Sequence, residues 1–246
     1  MVSTRPMKQH DLIFDCNGYL ISGTLHQPDE NDPPVVIGSH GLYSTSQSPK
    51  QIELGNRCAE AGIAFFRFDH RGCGDSQGDI RKDTTLHLRC VDMLKAAEAL
   101  KKEGLSCNKL GLFGSSFGGA VCMSVANELS ARGLIINAAP VKSGRILDHL
   151  EQSDTTKPRA SVLFKKTLRF DLTHLLKSLH HILIFHGDAD EVVPVSEALE
   201  IHELAGAPKR LIVFENGDHV MSNPDHQEIF ARESVEWFRE HLFEVP

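Results

Sequence analysis

Short apolar runs alternate along the chain with longer stretches in which apolar residues recur every three or four positions. The short runs have the continuous apolar character of buried strands, and the longer stretches have the period of helices. Strands are predicted over His10–Cys16, Tyr19–His26, Val35–Ser39, Ile63–Phe68, Leu110–Phe113, Leu134–Ala138, Ile182–Phe185 and Leu211–Phe214. Helices are predicted over Pro49–Ala61, Asp83–Glu103, Ala120–Ala126, Val195–Leu204 and Asp225–Leu242. This alternation predicts an α/β fold, a mainly parallel sheet with helices on both faces.

Two segments carry a clearer local signal. Asn17-Gly18 separates the first two strands, and this dipeptide favours a two-residue hairpin turn, so the fold is expected to open with an antiparallel hairpin. In the helix predicted over Asp83–Glu103, one apolar face is expected to pack on the sheet. The residues of that face are Leu86, Cys90, Leu94 and Ala97.

One interval interrupts the alternation. Between residues 140 and 180 there is no convincing buried strand, and this length is far greater than that of an ordinary connection. We interpret the interval as a small cap inserted over the functional site. The length of 246 residues otherwise fits a single domain over 1–246.

The composition narrows the class of protein. Hydrophobic residues make up 41% and charged residues 24%, as in globular proteins, and the net charge of −7 disfavours non-specific nucleic-acid binding. The N-terminus lacks the apolar core of a signal peptide, and no stretch is apolar over the roughly 18 residues of a spanning helix. We therefore expect a cytoplasmic protein without a membrane span. The six cysteines form no Cys-x-x-Cys pair, which favours reduced thiols and no metal site.

A Gly-x-Ser-x-Gly pattern at 114–118 lies between a predicted strand and a predicted helix. In a nucleophile elbow, such a turn strains the serine backbone and exposes its hydroxyl, while the glycines avoid collisions with neighbouring backbone. Ser116 is therefore the candidate nucleophile. The alternative is an ordinary Gly/Ser turn, and the choice depends on whether an acid, a base and an oxyanion hole occur elsewhere in the chain.

The acid and the base are expected after the later strands. Asp188 and Asp190 both follow the strand that ends at Phe185, and Asp190 is favoured because the Val-Val-Pro after it would pack and fix its carboxylate. Asp188 is interpreted as a turn former. His219 lies in a Gly-containing loop after the next strand and is the candidate base. The chain order Ser…Asp…His is one of the known orders of a catalytic triad.

An acyl-transfer site also needs N–H groups that bind the oxyanion. We assign the backbone N–H of Phe117, directly after the nucleophile, and that of Leu42 in the loop after the third strand. His40 is expected to support this loop by a hydrogen bond. The glycine-rich segment 69–76 lacks the features of a phosphate loop, so we expect a structural role in which Asp69 and Arg71 form an ion pair.

Together these segments resemble the α/β-hydrolase family over nearly the whole chain, and within it the serine-aminopeptidase-like group that includes cinnamoyl/feruloyl esterases and monoacylglycerol lipases. The motifs that carry the resemblance are His40-Gly-Leu, Asp69-x-Arg-Gly-x-Gly-x-Ser76, Gly-x-Ser116-x-Gly-Gly, His-Gly-x-x-Asp190-x-x-Val-Pro and Gly-Asp-His219. The resemblance implies an α/β-hydrolase fold and a serine hydrolase without metal or cofactor.

The function expected from these residues is that of a carboxylesterase that cleaves small to medium acyl or aromatic esters through an acyl-enzyme. The same triad could serve a thioesterase, an amidase or peptidase, or a perhydrolase, because fold and triad do not fix the chemistry. A non-catalytic binding protein on the same fold is the alternative from a different class. The expected partner is a small-molecule ester, and the oligomeric state stays open.

Overall fold

The computed structural model describes residues 7–144, 147 and 168–243. Its strands are β1 (Met7–Cys16), β2 (Tyr19–Pro28), β3 (Val35–Ser39), β4 (Ala64–Phe68), β5 (Leu110–Ser115), β6 (Gly133–Asn137), β7 (Ile182–Gly187) and β8 (Lys209–Phe214). Its α-helices are α1 (Pro49–Glu60), α2 (Ile80–Asp83), α3 (Leu86–Lys102), α4 (Phe117–Val125), α5 (Val195–Leu204) and α6 (Pro224–Leu242). A 3-10 helix spans Thr173–Ser178. Every predicted strand and helix has a counterpart, with ends that differ by a few residues.

The eight strands form one sheet in the order β1-β2-β4-β3-β5-β6-β7-β8. The β1–β2 and β2–β4 pairs are antiparallel, and the neighbours from β4 onwards are parallel. The predicted mainly parallel sheet is thereby confirmed. Because parallel strands end at the same edge of a sheet, the loops after β3, β5, β7 and β8 come together there.

Helices cover both faces of the sheet, and alternate strand residues enter two separate cores. On β3, Val35 and Ile37 belong to the core under α3, α4 and α5, whereas Val36 belongs to the core under α1 and α6. Burial on both faces explains why these strands appear in the sequence as continuous apolar runs. None of the described helices combines the length and the apolar character needed to cross a membrane.

The predicted hairpin is confirmed at the start of the sheet. Cys16 pairs with Tyr19, which leaves Asn17 and Gly18 as the two turn residues. Both have positive φ, 56° and 88° respectively, as a tight hairpin turn with the twist of its strands requires.

The helix predicted over 83–103 is present as α3, but its start and its buried face differ from the prediction. The chain first forms the short helix α2, and α3 begins only after Thr85, whose hydroxyl accepts the N–H of Leu88 at 3.0 Å and caps the helix. The predicted face is also displaced: Leu86 is only partly buried, whereas the charged residues Arg89 and Asp92 are fully buried. Apolar periodicity cannot identify this face, because these two charges are buried with specific polar partners.

The predicted cap at 140–180 lies for the most part outside the described residues. Its two ends are described and lie side by side: Leu172 donates its N–H to the Val141 carbonyl at 2.9 Å, and Ser143 donates to the Phe170 carbonyl at 3.1 Å. The segment therefore leaves the sheet after β6 and returns beside its own start before β7. The assignment of the whole chain to one domain stays a prediction.

Candidate active site

The turn after β5 holds Ser116 in a backbone conformation that few side chains adopt. Ser116 has φ 53° and ψ −124°, and α4 begins at the next residue, Phe117. The turn has no room for side chains at its glycines, since a methyl group on Gly114 would lie 2.3 Å from the Gly118 carbonyl oxygen. Backbone strain of this kind is typical of places where a fold holds a functional side chain. The predicted elbow therefore has the geometry that its glycines imply.

Three side chains from separate loops form a hydrogen-bonded row. Ser116 Oγ lies 3.0 Å from His219 Nε2, and His219 Nδ1 lies 2.8 Å from Asp190 Oδ2 and 3.0 Å from Oδ1. A neutral imidazole with its proton on Nδ1 donates to the carboxylate and can accept the serine proton at Nε2. Asp188, the other aspartate considered, lies exposed in the turn before Asp190. The structure thus brings together the three residues that the sequence analysis selected.

A second histidine contacts the Asp190 carboxylate from within the core. His186 on β7 is fully buried, with Nε2 3.4 Å from Asp190 Oδ2 and 2.8 Å from the Val193 carbonyl oxygen. Asp190 Oδ1 also accepts the backbone N–H groups of Val192 and Val193, each at 2.8 Å. Burial raises the pKa of Asp190, but the hydrogen bonds from His186 and His219 outweigh it and hold this pKa below its usual value. Asp190 is therefore ionised and fixed in orientation.

The loop after β3 lies against Ser116. A methyl group on Gly41 would lie 3.6 Å from Ser116 Cβ, and the neighbouring Leu42 is buried. His40 supports the loop, as expected: its Nδ1 donates to the Gly41 carbonyl at 2.7 Å, and its Nε2 accepts the N–H of His70 at 3.1 Å. Burial holds the pKa of His40 well below its usual value, so the ring is neutral, as these two bonds require.

The segment 69–76 packs beside this loop, but its ion pair is not the expected one. The Asp69 carboxylate accepts the N–H of Ser46 at 2.6 Å and a second N–H from its own loop at 3.0 Å. Arg71 pairs instead with Asp92 on α3, with Nη2 2.6 Å from Oδ1. The predicted Asp69–Arg71 pair is wrong, because backbone N–H groups satisfy Asp69 and a distant helix supplies the carboxylate for Arg71.

Asp92 connects a buried polar network to the end of β3. Its Oδ2 accepts the N–H of Arg71 at 3.1 Å and lies 3.3 Å from His70 Nδ1, while His70 Nε2 lies 2.8 Å from the Ser39 hydroxyl. Burial raises the pKa of Asp92, but the hydrogen bonds from His70 and Arg71 lower it to about 2. Burial lowers the pKa of His70 to about 4. At neutral pH the network therefore holds an ionised carboxylate, a guanidinium and a neutral imidazole.

A cavity of about 410 Å³ opens in front of Ser116. Its lining includes the loop after β3 and both Ser116 and His219, so a molecule in the cavity would contact the reactive row directly. The apolar side chains of Leu42, Val192 and Val220 form part of its wall. The cavity therefore suits an apolar group attached to a polar, reactive centre.

Lys50, the second residue of α1, also lines this cavity. Its Nζ donates to the Val220 carbonyl at 3.0 Å, next to the loop that carries His219. Burial lowers the pKa of Lys50 to about 8, although the carboxylates of Asp218 and Asp190 oppose this shift. The cavity wall thus includes an ammonium group that titrates close to neutral pH.

Three residues near the site were missed in the sequence: Arg89, His186 and Lys50. Arg89 lies on the same helical stripe as Met93 and Leu100, but an apolar pattern assigns a charged residue to solvent, so the sequence carried no signal for its burial. His186 belongs to the His-Gly-x-x-Asp motif. Lys50 had no local signal, since its burial depends on a contact between α1 and the loop after β8.

Within residues 7–144 and 168–243, no cluster of three or more His, Cys, Asp or Glu residues could hold a metal ion.

Known proteins share this architecture. A family model described as the prolyl oligopeptidase family matches residues 56–244. The sequence is 25% identical over 211 residues to the uncharacterized protein YfhR of Escherichia coli O157:H7. The aligned region covers 85% of this chain and 71% of YfhR. Est1E from Butyrivibrio proteoclasticus with bound ferulic acid gives a TM-score of 0.78 at 20% identity, over 94% of this chain and 98% of Est1E. The Pyrococcus furiosus esterase Pf2001 gives 0.80 at 18% identity, over 96% and 94% of the two chains.

Proposed function

The chain belongs to the prolyl oligopeptidase family and has the α/β-hydrolase fold that its sequence predicted, and from this premise we propose that it is a serine hydrolase acting on carboxylic esters. The observation that carries the proposal is the hydrogen-bonded row of Ser116, His219 and Asp190 beside an open cavity. In this row the serine, the base and the orienting acid occupy the positions that acyl transfer requires.

The proposed reaction proceeds through an acyl-enzyme. Ser116 Oγ attacks the ester carbonyl while His219 Nε2 accepts its proton, and the carbonyl electron pair moves to the oxygen. The N–H groups of Leu42 and Phe117 stabilise this oxyanion. When the tetrahedral intermediate collapses, the alkoxide leaves with the proton from His219. Water, deprotonated by His219, then attacks the acyl-enzyme and releases the carboxylic acid, and the proton returns to Ser116.

Asp190 acts without giving up its charge. It holds the His219 proton on Nδ1 and stabilises the imidazolium that forms when Nε2 is protonated. Its ionised state follows from the hydrogen bonds of His186 and His219 described above. The reaction needs no cofactor, since each proton moves between the substrate, Ser116, His219 and water.

Small to medium acyl or aromatic esters are the proposed substrate class. The cavity volume of about 410 Å³ and its apolar wall favour a compact apolar group over a long chain. The structures of Est1E, which holds ferulic acid, and of the esterase Pf2001 have the same fold. The same proposal includes a cytoplasmic location for the protein and a small molecule as its substrate.

Amide hydrolysis is the second candidate, because the matching family is named after a peptidase, prolyl oligopeptidase. The same row could protonate a leaving amine through His219 Nε2. Thioester cleavage and perhydrolysis use the same acyl-enzyme, and a protein that only binds its ligand would keep the fold without turnover.

Hydrolysis of p-nitrophenyl esters from acetate to octanoate tests the proposal directly. We expect turnover by the natural protein, and a fall in kcat of at least about 10³-fold in Ser116→Ala. Ser115→Ala is the matched control, since it removes the adjacent hydroxyl and leaves the nucleophile intact. The chain-length profile measures the acyl site.

Labelling by a fluorophosphonate probe separates the remaining alternatives. Labelling of Ser116 without ester turnover would move the assignment to amide or thioester substrates, to be measured with matched anilides and thioesters. If neither turnover nor labelling occurs, the serine hydrolase assignment fails and the binding protein is favoured.

A further inference from the structure

A fully buried guanidinium lies behind the loop that follows β3. Arg89 on α3 has no exposed surface. Its Nη1 donates to the carbonyl oxygens of His40 at 3.0 Å and Gly41 at 3.2 Å, and its Nη2 donates to the carbonyl oxygen of Leu42 at 3.1 Å. One side chain therefore holds three successive peptide groups of the loop.

The bond to Gly41 sets the direction of a particular N–H group. The carbonyl of Gly41 and the N–H of Leu42 belong to one peptide group, and in a planar trans peptide these two bonds point in opposite directions. Since the carbonyl is directed at Arg89, the N–H of Leu42 is directed away from it. The same loop lines the cavity and lies against Ser116, so this orientation suits a donor to the reacting carbonyl.

The guanidinium also contacts the residue that carries the second candidate donor. Arg89 Cζ lies 5.0 Å from the centre of the Phe117 ring, within the range of a cation–π interaction. Phe117 is the first residue of α4 and directly follows Ser116. Arg89 thus connects the two segments from which the oxyanion hole would be built.

The buried charge of Arg89 lowers the stability of the fold, which argues against a purely structural role. In the described part of the chain no carboxylate lies within ion-pair distance of it, in contrast to Arg71, which pairs with Asp92. Its remaining hydrogen bond goes to Cys73 Sγ at 3.4 Å. An unpaired buried charge lowers stability. A charged donor on a peptide carbonyl polarises that peptide and strengthens its N–H as a donor, which is useful where a negative charge develops.

We propose that Arg89 is a positioning residue for the oxyanion hole. It orients the N–H of Leu42 and holds the loop after β3 at a fixed position relative to Phe117. The inference rests on the proposed serine hydrolase function. Arg89 does not touch the substrate: it acts through the loop, so its removal should impair the formation of the transition state and leave the binding of the ester nearly unchanged.

Three variants on α3 test the proposal. Arg89→Met removes the charge and the donors at similar length, Arg89→Lys keeps the charge with fewer donors, and Leu100→Ala makes a cavity on the same helix without contact to the loop. For each we would measure kcat and KM on a p-nitrophenyl ester, the rate of fluorophosphonate labelling, the melting temperature, and the low-field NMR proton of His219 that reports its bond to Asp190.

We expect Arg89→Met to lower kcat by about 10²-fold, close to the effect of losing one oxyanion donor, with KM changed by less than about threefold. The His219 proton signal should persist, because the triad does not contact Arg89. Arg89→Lys should recover part of kcat, and Leu100→Ala should keep the natural kcat despite a lower melting temperature. If Arg89→Met does not fold, Arg89→Lys decides the matter through a loss of kcat of about tenfold at a nearly natural melting temperature.

Two results would overturn the role of Arg89 while leaving the proposed function intact. The first is a kcat equal to that of the unmutated protein in either folded Arg89 variant. The second is a loss of kcat in Leu100→Ala equal to that in Arg89→Met at equal loss of stability. A natural protein that neither hydrolyses esters nor reacts with the probe overturns the function and the inference together, whereas an active natural protein with fully active Arg89 variants overturns the inference alone. If only labelling occurs, the labelling rate replaces kcat, since the phosphonyl oxygen needs the same donors.

Discussion

A methyl group on Gly118 would lie 2.1 Å from the carbonyl oxygen of Ser39, so α4 approaches the end of β3 as closely as backbone atoms allow. This contact fixes the distance between the turn of Ser116 and the loop after β3. We predict that Gly118→Ala pushes the two segments apart, lowers kcat by about 10²-fold or more, and destabilises the fold by several kcal/mol.

Gly144→Ala is the control for this prediction. Among the residues that the structure describes, none has an atom within 4 Å of a methyl group added to Gly144, so this variant should keep its activity and its melting temperature. Steady-state kinetics and thermal unfolding of both variants provide the comparison. Natural activity in Gly118→Ala would show that the elbow can relax without loss of the site.

Asp190 and Asp188 give a matched pair for the role of the acid. Asp190→Asn keeps the shape of the side chain but no longer holds the proton of His219 on Nδ1, so we expect kcat to fall by roughly 10³–10⁴-fold. Asp188→Asn should have little effect, because this side chain is exposed in a turn. An equal loss in the two variants, measured on the same ester, would contradict the assignment of Asp190 as the acid.

Asp92 should make stability depend on pH. Its pKa is lowered to about 2 from the ordinary 3.8, so its ionised form stabilises the folded chain above about pH 4 and this contribution is lost as the pH falls towards 2. Asp92→Asn leaves Arg71 buried without its carboxylate and should lower the free energy of unfolding by roughly 3–5 kcal/mol at pH 7.

Urea unfolding at several pH values checks this prediction. The difference between the natural protein and Asp92→Asn should shrink between pH 4 and pH 2, whereas the exposed Asp75→Asn should stay within about 0.5 kcal/mol of the natural protein at pH 7. A difference that is the same at every pH would exclude the proposed charge effect.

Lys50 should make the cavity less attractive to anions as the pH rises. Its pKa is lowered to about 8, so its ammonium group is charged at pH 7 and mostly neutral by pH 9. The charged groups around it are Asp190 in the loop after β7 and Asp218 in the loop after β8, with the imidazole of His219 beside them. The two carboxylates weaken the attraction between Lys50 and an anionic substrate. They do not change the pH dependence of this attraction, because both stay ionised over this range.

We therefore expect kcat/KM for an ester with a distal carboxylate, relative to its neutral isostere, to fall several-fold between pH 7 and pH 9. Lys50→Met should remove this change, and Lys50→Arg, which stays charged, should keep the preference at pH 9. A preference that is the same in Lys50→Met and in the natural protein would assign anion selectivity to another part of the chain.

The strands, the helices and the elbow could be predicted because their signals are local. The positive φ values of Asn17 and Gly18 follow from a dipeptide, and the buried strand Val35–Ser39 follows from five consecutive residues. The turn around Ser116 follows from glycines within two residues of it. The selection of Asp190 over Asp188 used the apolar residues directly after it, and the structure places Asp190, and not Asp188, against His219.

The tertiary structure decided where the charges lie. A helical pattern assigns Arg89 and Asp92 to solvent, because burial of a charge depends on partners that lie far away in the sequence: the loop at 40–42 for Arg89, and Arg71 for Asp92. Lys50 enters the cavity only because α1 packs near the loop after β8. The sequence by itself therefore determined the fold class and the candidate reacting groups, whereas the groups that hold and tune them depend on long-range contacts, since buried polar atoms take whichever partners the assembled chain brings within hydrogen-bond distance.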